Sequence, residues 1–450
     1  MDQRDDIAKL LALDAGALRD AHRIFGDLRA GAPVRHIPEN GCYAVTRYED
    51  IVTVLRDPAR FSSRSSTGPA ASGELAERIA ADASGSAELL GLFAGATHRF
   101  RGRLTEDRAA RLAAVLTRAL MPYREVLLSA DPPVHSRHRQ AVTYAFSPKR
   151  VAAMTPKIEA IAHRLIDGFA GDGATELVDA YTDRLPLLVI AGALGVEEEV
   201  LPDFRRWSNQ MISVVGNPAV TKEDIAGYLK VLAEFREYFT AVIADRRAAP
   251  RDDLITDVAT SRVEAGLLDP DEILPMLQQF LVAGNETTGK LISATLRFLL
   301  TEPGQLASVR AEPDRTAETV DEVLRLHTPV LGLYRQANQD TEIGGCPVPA
   351  GSHLWVLYPS GNRDERQFED PGEFRLGRAN GRKHLAFGHG PHYCVGAHLA
   401  RAEAVLAVNT ILARLPGLRL AGGEEPVYAR SHVLHGLAEL PVRWEVSSGG

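Results

Sequence analysis

Three groups of residues in this sequence could do chemistry. The first is Phe387-Gly-His-Gly-Pro-His-Tyr-Cys394-Val-Gly396. Its glycine- and proline-rich first half reads as a turn whose backbone can pass close to another group. From Ala397 onward the residues are strong helix formers, with Leu399, Ala400, Ala402, Ala404, Val405 and Leu406 giving a mostly apolar helix. Cys394 stands at the joint. There it faces the free N–H groups of the first helical turn, which favour thiolate over thiol. Gly388, Gly390 and Gly396 leave room for something flat and wide against the sulfur. A thiolate held this way is a candidate ligand for haem iron. Two other readings compete. One is a buried cysteine acting as a small hydrophobe. The other is zinc, because His384, His389, His392 and His398 crowd the thiol. Zinc sites usually use short paired spacings, and no second cysteine is near.

The second group is Ala283-Gly284-Asn285-Glu286-Thr287-Thr288, flanked on both sides by apolar residues. A glycine, an acid and two threonines in mid-helix oppose both helix propensity and burial preference. Such local violations tend to mark functional sites. The plain alternative is that Glu286 is surface-exposed. The third group is His135 and Arg139, four apart and so on one helical face. The plain reading there is a solvated basic face.

Several elements must position these residues. Helical spacing covers Asp14–Ala30, strand-like runs follow at Pro33–His36 and Cys42–Thr46, and a helix over Tyr48–Arg56 ends at Asp57-Pro58. Residues 61–131 form an unusually long connection, loose from Ser62 to Ser86, with a basic helix candidate at Arg101–Leu120. Asp131 as N-cap and Pro132 at the first position open the helix carrying His135. Helical runs follow at Val151–Ala170, Tyr181–Leu194, Glu197–Val215 and Thr221–Arg247, with a turn at Gly216-Asn217-Pro218. Asp269-Pro270 opens a long apolar helix to about Glu302, in which Pro275 marks a short helix joined to a longer one. The helix Thr316–His327 carries Glu322 and Arg325 at i, i+3. As a surface salt bridge that pair is worth under about 1 kcal/mol.

The totals limit the function classes. The 450 residues carry 51 Lys and Arg against 59 Asp and Glu, a net charge of −8, with no basic tail to bind nucleic acid. Three cysteines, Cys42, Cys346 and Cys394, argue against a disulfide framework. The first residues, Met-Asp-Gln-Arg-Asp-Asp, lack the apolar run of a signal peptide or anchor. The expectation is a soluble, cytoplasmic protein.

Phe387-Gly-x-Gly-x-x-x-Cys394-x-Gly396 resembles the haem-binding loop of the cytochromes P450. The Gly-Ala-His-Leu-Ala-Arg that follows is similar to the soluble bacterial branch, and the resemblance runs from about Leu10 to about Trp444. It implies a mainly α fold with a small β-rich region, the triangular helical prism of that family, as one domain over residues 1–450 without a fused reductase. It implies haem b as cofactor, Cys394 as axial ligand to the iron, and O2 as co-substrate. His135, Arg139, Arg335 and His392 would meet the haem propionates, and Ala283, Gly284, Phe387 and Gly396 would lie against the haem. Glu286 and Thr287 would be the acid–alcohol pair that brings protons to the reacting oxygen. Thr288, by contrast, would be structural. Glu322 and Arg325 would be structural too, with a partner near Phe374–Arg378. Leu331, Leu333, Val433 and Leu434 would form pocket wall, under a roof holding Phe204, Trp207 and Met211. The implied activity is a monooxygenase that inserts one atom of O2 into a small apolar organic substrate, in secondary-metabolite tailoring or catabolism. Electrons would come from a ferredoxin and ferredoxin reductase, docking at Arg137, Arg382 and Lys383 of a monomer. A peroxide-driven haem-thiolate enzyme and a non-enzymatic haem-based sensor are the rival readings.

Overall fold

Among the described residues, five helices start at a residue whose side chain caps the first turn: Asp14, Ser147, Thr221, Asp253 and Asp269. The computed structural model describes residues 3–68, 126–214, 221–263, 266–422 and 425–446. The helix expected over Arg101–Leu120, most of the loose run from Ser62 to Ser86 and the turn at Gly216-Asn217-Pro218 lie outside those residues. At the N-terminal end α1 (Gln3–Leu11) comes first, and α2 (Ala15–Arg19) and α3 (Ala21–Gly31) replace the single helix expected over Asp14–Ala30. Asp14 caps α2 through its side chain, and the helical run breaks at Asp20. Two strands follow, β1 (Val34–Ile37) and β2 (Cys42–Val45), paired antiparallel with Val34 opposite Val45. Then come α4 (Tyr48–Arg56), with the expected bounds, and β3 (Phe61–Ser62).

The next helix, α5 (Val134–Thr143), starts two residues later than expected. The Asp131 carboxylate is engaged elsewhere. It accepts from the Ser63 N–H at 2.8 Å and the Ser62 hydroxyl at 2.5 Å, and so ties the two ends of the long connection together. After it come α6 (Pro148–Asp167), β4 (Ala174–Glu176), a π turn at Val178–Thr182, α7 (Arg184–Ala193), α8 (Leu201–Ile212), α9 (Lys222–Ala248) and α10 (Leu254–Ala259). Thr221 and Asp224 close a capping box on α9. A small hairpin, β5 (Arg262–Val263) and β6 (Gly266–Leu267), leads into α11 (Pro270–Thr301).

Helix α11 organises the rest. Asp269 and Glu272 form its capping box. It is one continuous helix, not two. Pro275 lies in the second turn, so the bond it forfeits is with an early carbonyl and the apolar flank carries the helix through. Its 32 residues span roughly 48 Å at 1.5 Å each. Leu277, Leu281, Leu291, Ile292 and Leu296 are fully buried along it. Each such side chain contributes about 1.5–3 kcal/mol of burial, so the helix is held by its tertiary setting.

The chain ends with α12 (Pro303–Ala311), α13 (Thr316–Leu326), β7 (Gly332–Ala337), β8 (Thr341–Ile343), β9 (Cys346–Val348), β10 (His353–Leu357), α14 (Tyr358–Gly361), α15 (Ala397–Arg414), β11 (Arg419–Leu420) and β12 (Pro441–Arg443). The main sheet has the order β1-β2-β10-β7-β3, and β11-β12-β4 forms a second sheet. One apolar core joins α6, α7, α8, α9, α11, α13 and α15, and two smaller clusters pack on the faces of the main sheet. The fold is mainly α with a small β-rich region. Among the described residues no helix is long and apolar enough to cross a membrane.

Candidate active site

The loop ahead of α15 is built from its own hydrogen bonds. The Tyr393 N–H donates to Gly390 O at 3.0 Å and the Cys394 N–H to Phe387 O at 2.9 Å. Gly388 and Gly390 both have φ of +69°. A Cβ at Gly390 would sit 2.6 Å from Leu55 O, so only glycine lets the loop pass against the end of α4. Arg401 of α15 lies over the Phe387 ring at 4.5 Å and donates to Asp321 of α13 at 2.6 Å. His384 and Arg382 also approach Asp321, at 3.6 and 3.1 Å. Burial works against the Asp321 carboxylate, yet the hydrogen bond from Arg401, with His384 close by, holds it at about 2. The cysteine loop is therefore anchored at both ends by one ionised acid.

Cys394 opens onto a cavity of about 440 Å³. Burial pushes its thiol up, while the Gly396 N–H and the charges of Arg139 and Arg401 pull it back toward thiolate. A Cβ at Gly396 would meet nothing but the Cys394 sulfur, at 3.9 Å, so the space beside the sulfur stays clear. Phe387, Gly388 and His392 border the cavity from the loop, and His135 and Arg139 reach it from one face of α5.

These basic groups lack anions. The His135 and His392 rings lie 4.0 Å apart. Burial and neighbouring cations push His392 down to about 2 and His135 to about 4. Ser63 Oγ lies 3.1 Å from His392 Nε2. Arg335 is 2 % exposed and, among the described residues, donates only to Tyr334 O, at 2.7 Å. Burial also lowers Arg139, with Cys394 and Tyr393 opposing. Among the described residues neither guanidinium has a carboxylate partner. A buried charge left unpaired is costly by several kcal/mol. The arrangement is complementary to a wide, flat group with acidic substituents on one edge and a thiolate-seeking metal at its centre. Haem b fits that description.

Helix α11 contributes Ala283, Gly284, Thr287 and Thr288 to the same cavity. The nearest atoms to a Cβ at Gly284 would be on Ile190, 3.9 Å away. Thr287 Oγ1 donates to Ala283 O at 2.7 Å. Glu286 is turned away. It borders a second, separate cavity and pairs with Lys290 at 2.9 Å.

The family model described as cytochrome P450 matches residues 103–417. The chain is 34% identical over 442 residues to cytochrome P450 107B1 of Saccharopolyspora erythraea, covering 97% of this chain and 98% of that one. The chain belongs to the cytochrome P450 family. It is also 35% identical over 334 residues to the cytochrome P450 monooxygenase PikC of Streptomyces venezuelae, covering 73% and 78% of the two. Among solved structures, CYP109Q5 of Chondromyces apiculatus superposes with a TM-score of 0.78 at 33% identity, covering 97% and 98%. The protein is thus a P450 monooxygenase, an oxidoreductase that uses haem b and O2.

The P450 fold places Glu322 and Arg325 in the interior. Arg325 is fully buried and grips Glu322 with two bonds, at 2.7 and 2.9 Å. It also donates to the carbonyls of Asn362, Pro371 and Glu373. The expected partner segment is present, but Arg378 meets Glu322, at 2.8 Å, rather than Arg325. This is not the surface salt bridge of the plain reading. It joins α13 to the chain that leads into the cysteine loop.

Some expected pocket residues lie elsewhere. Leu333, Val433 and Leu434 line the cavity, and Leu331 does not. Leu331 precedes β7, where its N–H bonds Val433 O at 2.8 Å, and it packs under the N-terminal helices with Trp355. Val330, bridged to Leu434, takes the wall position. Of the expected roof only Met211 reaches the cavity. Phe204 is buried in the core, and Trp207 packs against Phe235 and Tyr238 of α9. Sequence reasoning missed Glu403 of α15, which borders the cavity with Oε2 unpartnered among the described residues. Burial pushes its carboxyl well above the usual range. The available signal was an acid among the alanines of an otherwise apolar helix.

Proposed function

We propose that this P450 inserts one atom of O2 into a small apolar secondary metabolite in the cytoplasm, as a monomer fed by a ferredoxin and its reductase, with Cys394 as the axial ligand. The observation that carries the reading is Cys394 and Thr287 opening onto one cavity that is also lined by Arg139, a guanidinium with no carboxylate partner among the described residues. Haem b, when bound, supplies the iron centre at which O2 is reduced and cleaved. Cys394 would donate electron density to it, with the Gly396 N–H and Arg139 steadying the thiolate. His135, Arg139, Arg335 and His392 would neutralise the propionates. The remaining walls are mostly apolar, from Ile190, Met211, Val214, Phe280, Val282 and Leu333, with Glu403 the one carboxyl among the described lining residues. Gln278 and Gln279 also reach the cavity, but their amides are bound to the Tyr228 hydroxyl and to Val126 O. Few polar groups are left to grip a substrate, which favours an apolar one.

Thr287 Oγ1 would hand protons to the reacting oxygen, and Glu286, the preceding residue, would refill Thr287 from the side of the second cavity. Thr287→Ala is expected to uncouple the cycle: reducing equivalents are consumed at near wild-type rate, most of them appear as hydrogen peroxide, and product yield falls on the order of 10-fold or more. Product, peroxide and NADPH measured together check this. Normal coupling would favour a peroxide-driven enzyme or a haem-based sensor, neither of which needs the pair. A screen of apolar compounds read by the haem spin shift tests the substrate class.

Support for ferredoxin docking comes from Arg382 and Lys383, exposed beside the cysteine loop; Arg382 shares the one Asp321 carboxylate with Arg401, so the cluster stays net positive. Arg137, expected in the same patch, is ion-paired to Glu272 and adds little net charge. Reversing both charges, Arg382→Glu with Lys383→Glu, is expected to slow reduction by a plant-type ferredoxin on the order of 10-fold at low salt. An unchanged rate in stopped flow would remove the patch.

A further inference from the structure

The second cavity borders α11 on a different face from the haem pocket. It measures about 300 Å³ and is lined by Asp179, Asp183, Arg184, Arg205, Asn285 and Glu286, among others. Four buried polar atoms at or beside it have no partner among the described residues: Thr182 Oγ1, Arg184 Nε, Asn285 Oδ1 and Glu286 Oε2. A buried polar atom left dry costs about 1–3 kcal/mol, and a polar space this size takes several waters. At the mouth Arg205 and Asp179 pair at 2.6 Å with both side chains exposed. The cavity therefore connects Glu286 to bulk solvent through water.

Asp183 is brought here deliberately. The π turn at Val178–Thr182 delivers it, and π turns gather at functional sites. A Cβ at Gly289 would collide with the Asp183 carboxylate, so glycine in mid-helix admits this approach. Lys290, one residue on, is 4 % exposed and holds Glu286 Oε1 at 2.9 Å, leaving Oε2 free toward the water. The charged groups around Asp183 are Lys290 and Glu286 from α11, Glu176 from β4 and Asp179 from the π turn, with Arg184 and Arg205 sharing the cavity. His435, from the C-terminal turn, feels the Lys290 charge.

We propose that Asp183 and Lys290 extend the Glu286–Thr287 pair to the polar cavity, with Asp183 passing solvent protons to Glu286 and Lys290 orienting the Glu286 carboxylate. This rests on the proton-supply role assigned above to Glu286 and Thr287. In each transfer Asp183 gives its proton through water to the Glu286 carboxylate. It is left ionised and is refilled from solvent at the mouth, so no other reactant is needed. Burial pushes Asp183 up to about 6, against the pull of Lys290, so it both accepts and releases protons near neutrality. Because the folded value is raised from 3.8, the associated stability is complete below about pH 4 and is lost as pH rises through about 6.

The test compares wild type, Asp183→Asn and Asp183→Glu as full-length haem-loaded enzymes. Substrate-free NADPH oxidation is driven by a plant-type ferredoxin and its reductase. Peroxide released per NADPH is followed between about pH 5 and pH 8, and the thermal midpoint is followed over the same range. Asp183→Asn is expected to raise the peroxide share about twofold or more and flatten its pH dependence. It is also expected to remove the loss of thermal midpoint through about pH 6. Asp183→Glu restores both. A pH-difference infrared spectrum, which needs no turnover, should lose one carboxylic C=O band in Asp183→Asn. Should that variant not fold, Asp183→Glu carries the test through a displaced carboxylic C=O band with wild-type peroxide share, and an undisplaced band would overturn the proposal. In Asp183→Asn, peroxide share and infrared band both matching wild type would overturn the proposal, as would an unchanged peroxide share alone. Thr287→Ala run alongside separates the failures. If it too leaves peroxide unchanged, the proton-supply reading falls; if only Asp183→Asn does, this inference alone falls.

Discussion

Cys394→Ser should yield a folded protein with no detectable oxygenase turnover and weak haem retention. The fold does not depend on the sulfur. The loop is set by the Cys394 N–H to Phe387 O bond, by glycine at 390 and by Arg401 over Phe387, none of which uses the side chain. What the sulfur contributes is an anion at the cavity floor. The Gly396 N–H and the charges of Arg139 and Arg401 already offset part of the burial penalty on a thiolate. A serine hydroxyl in the same place ionises far less readily, so the same neighbours leave it neutral and a poor ligand. The checks are haem content after purification, turnover and circular dichroism. Retained turnover with bound haem would show that the ligand lies elsewhere.

Arg325→Ala is expected to lower stability by about 3–5 kcal/mol, the usual consequence of breaking a buried ion pair by removing one partner. Arg325 satisfies Glu322 with two bonds and caps three carbonyls, and its own exposure is nil. Its loss leaves Glu322 with Arg378 and the Arg375 N–H alone. The carbonyls of Asn362, Pro371 and Glu373 belong to the chain leading into the cysteine loop, so haem should be lost at lower temperature as well. Arg325→Lys restores little, because an ammonium cannot span both the carboxylate and the carbonyls. Thermal and denaturant unfolding, followed with the haem absorbance, checks both effects. A change under about 1 kcal/mol would return the pair to the status of a surface bridge.

What could be read from the chain beforehand was what depends on neighbours in sequence. The Phe387–Gly396 spacing, the misfit residues at 284–288 and the cap at Asp269 are local features, and they occur where expected. Side-chain direction was harder. Leu331 and Val330 differ by one residue, and the short bridge to Leu434 ahead of β7 decides which faces the cavity. Phe204 and Trp207 suit a pocket roof by type, yet the aromatic residues of α9 claim Trp207 and the core takes Phe204. Asp131 and Pro132 carry a proper helix-start signal that a distant pair of serines overrides. Asp183 and Glu286 lie over a hundred positions apart, and the close approach at Gly289 helps bring them to one cavity.

The most direct measurement is the absorption spectrum of the purified, dithionite-reduced protein under carbon monoxide. The strongly red-shifted Soret band of thiolate-ligated haem is predicted for wild type, with none in Cys394→Ser. A protein that takes up no haem, or a carbon monoxide band at the position of histidine-ligated haem, would contradict the assignment of Cys394.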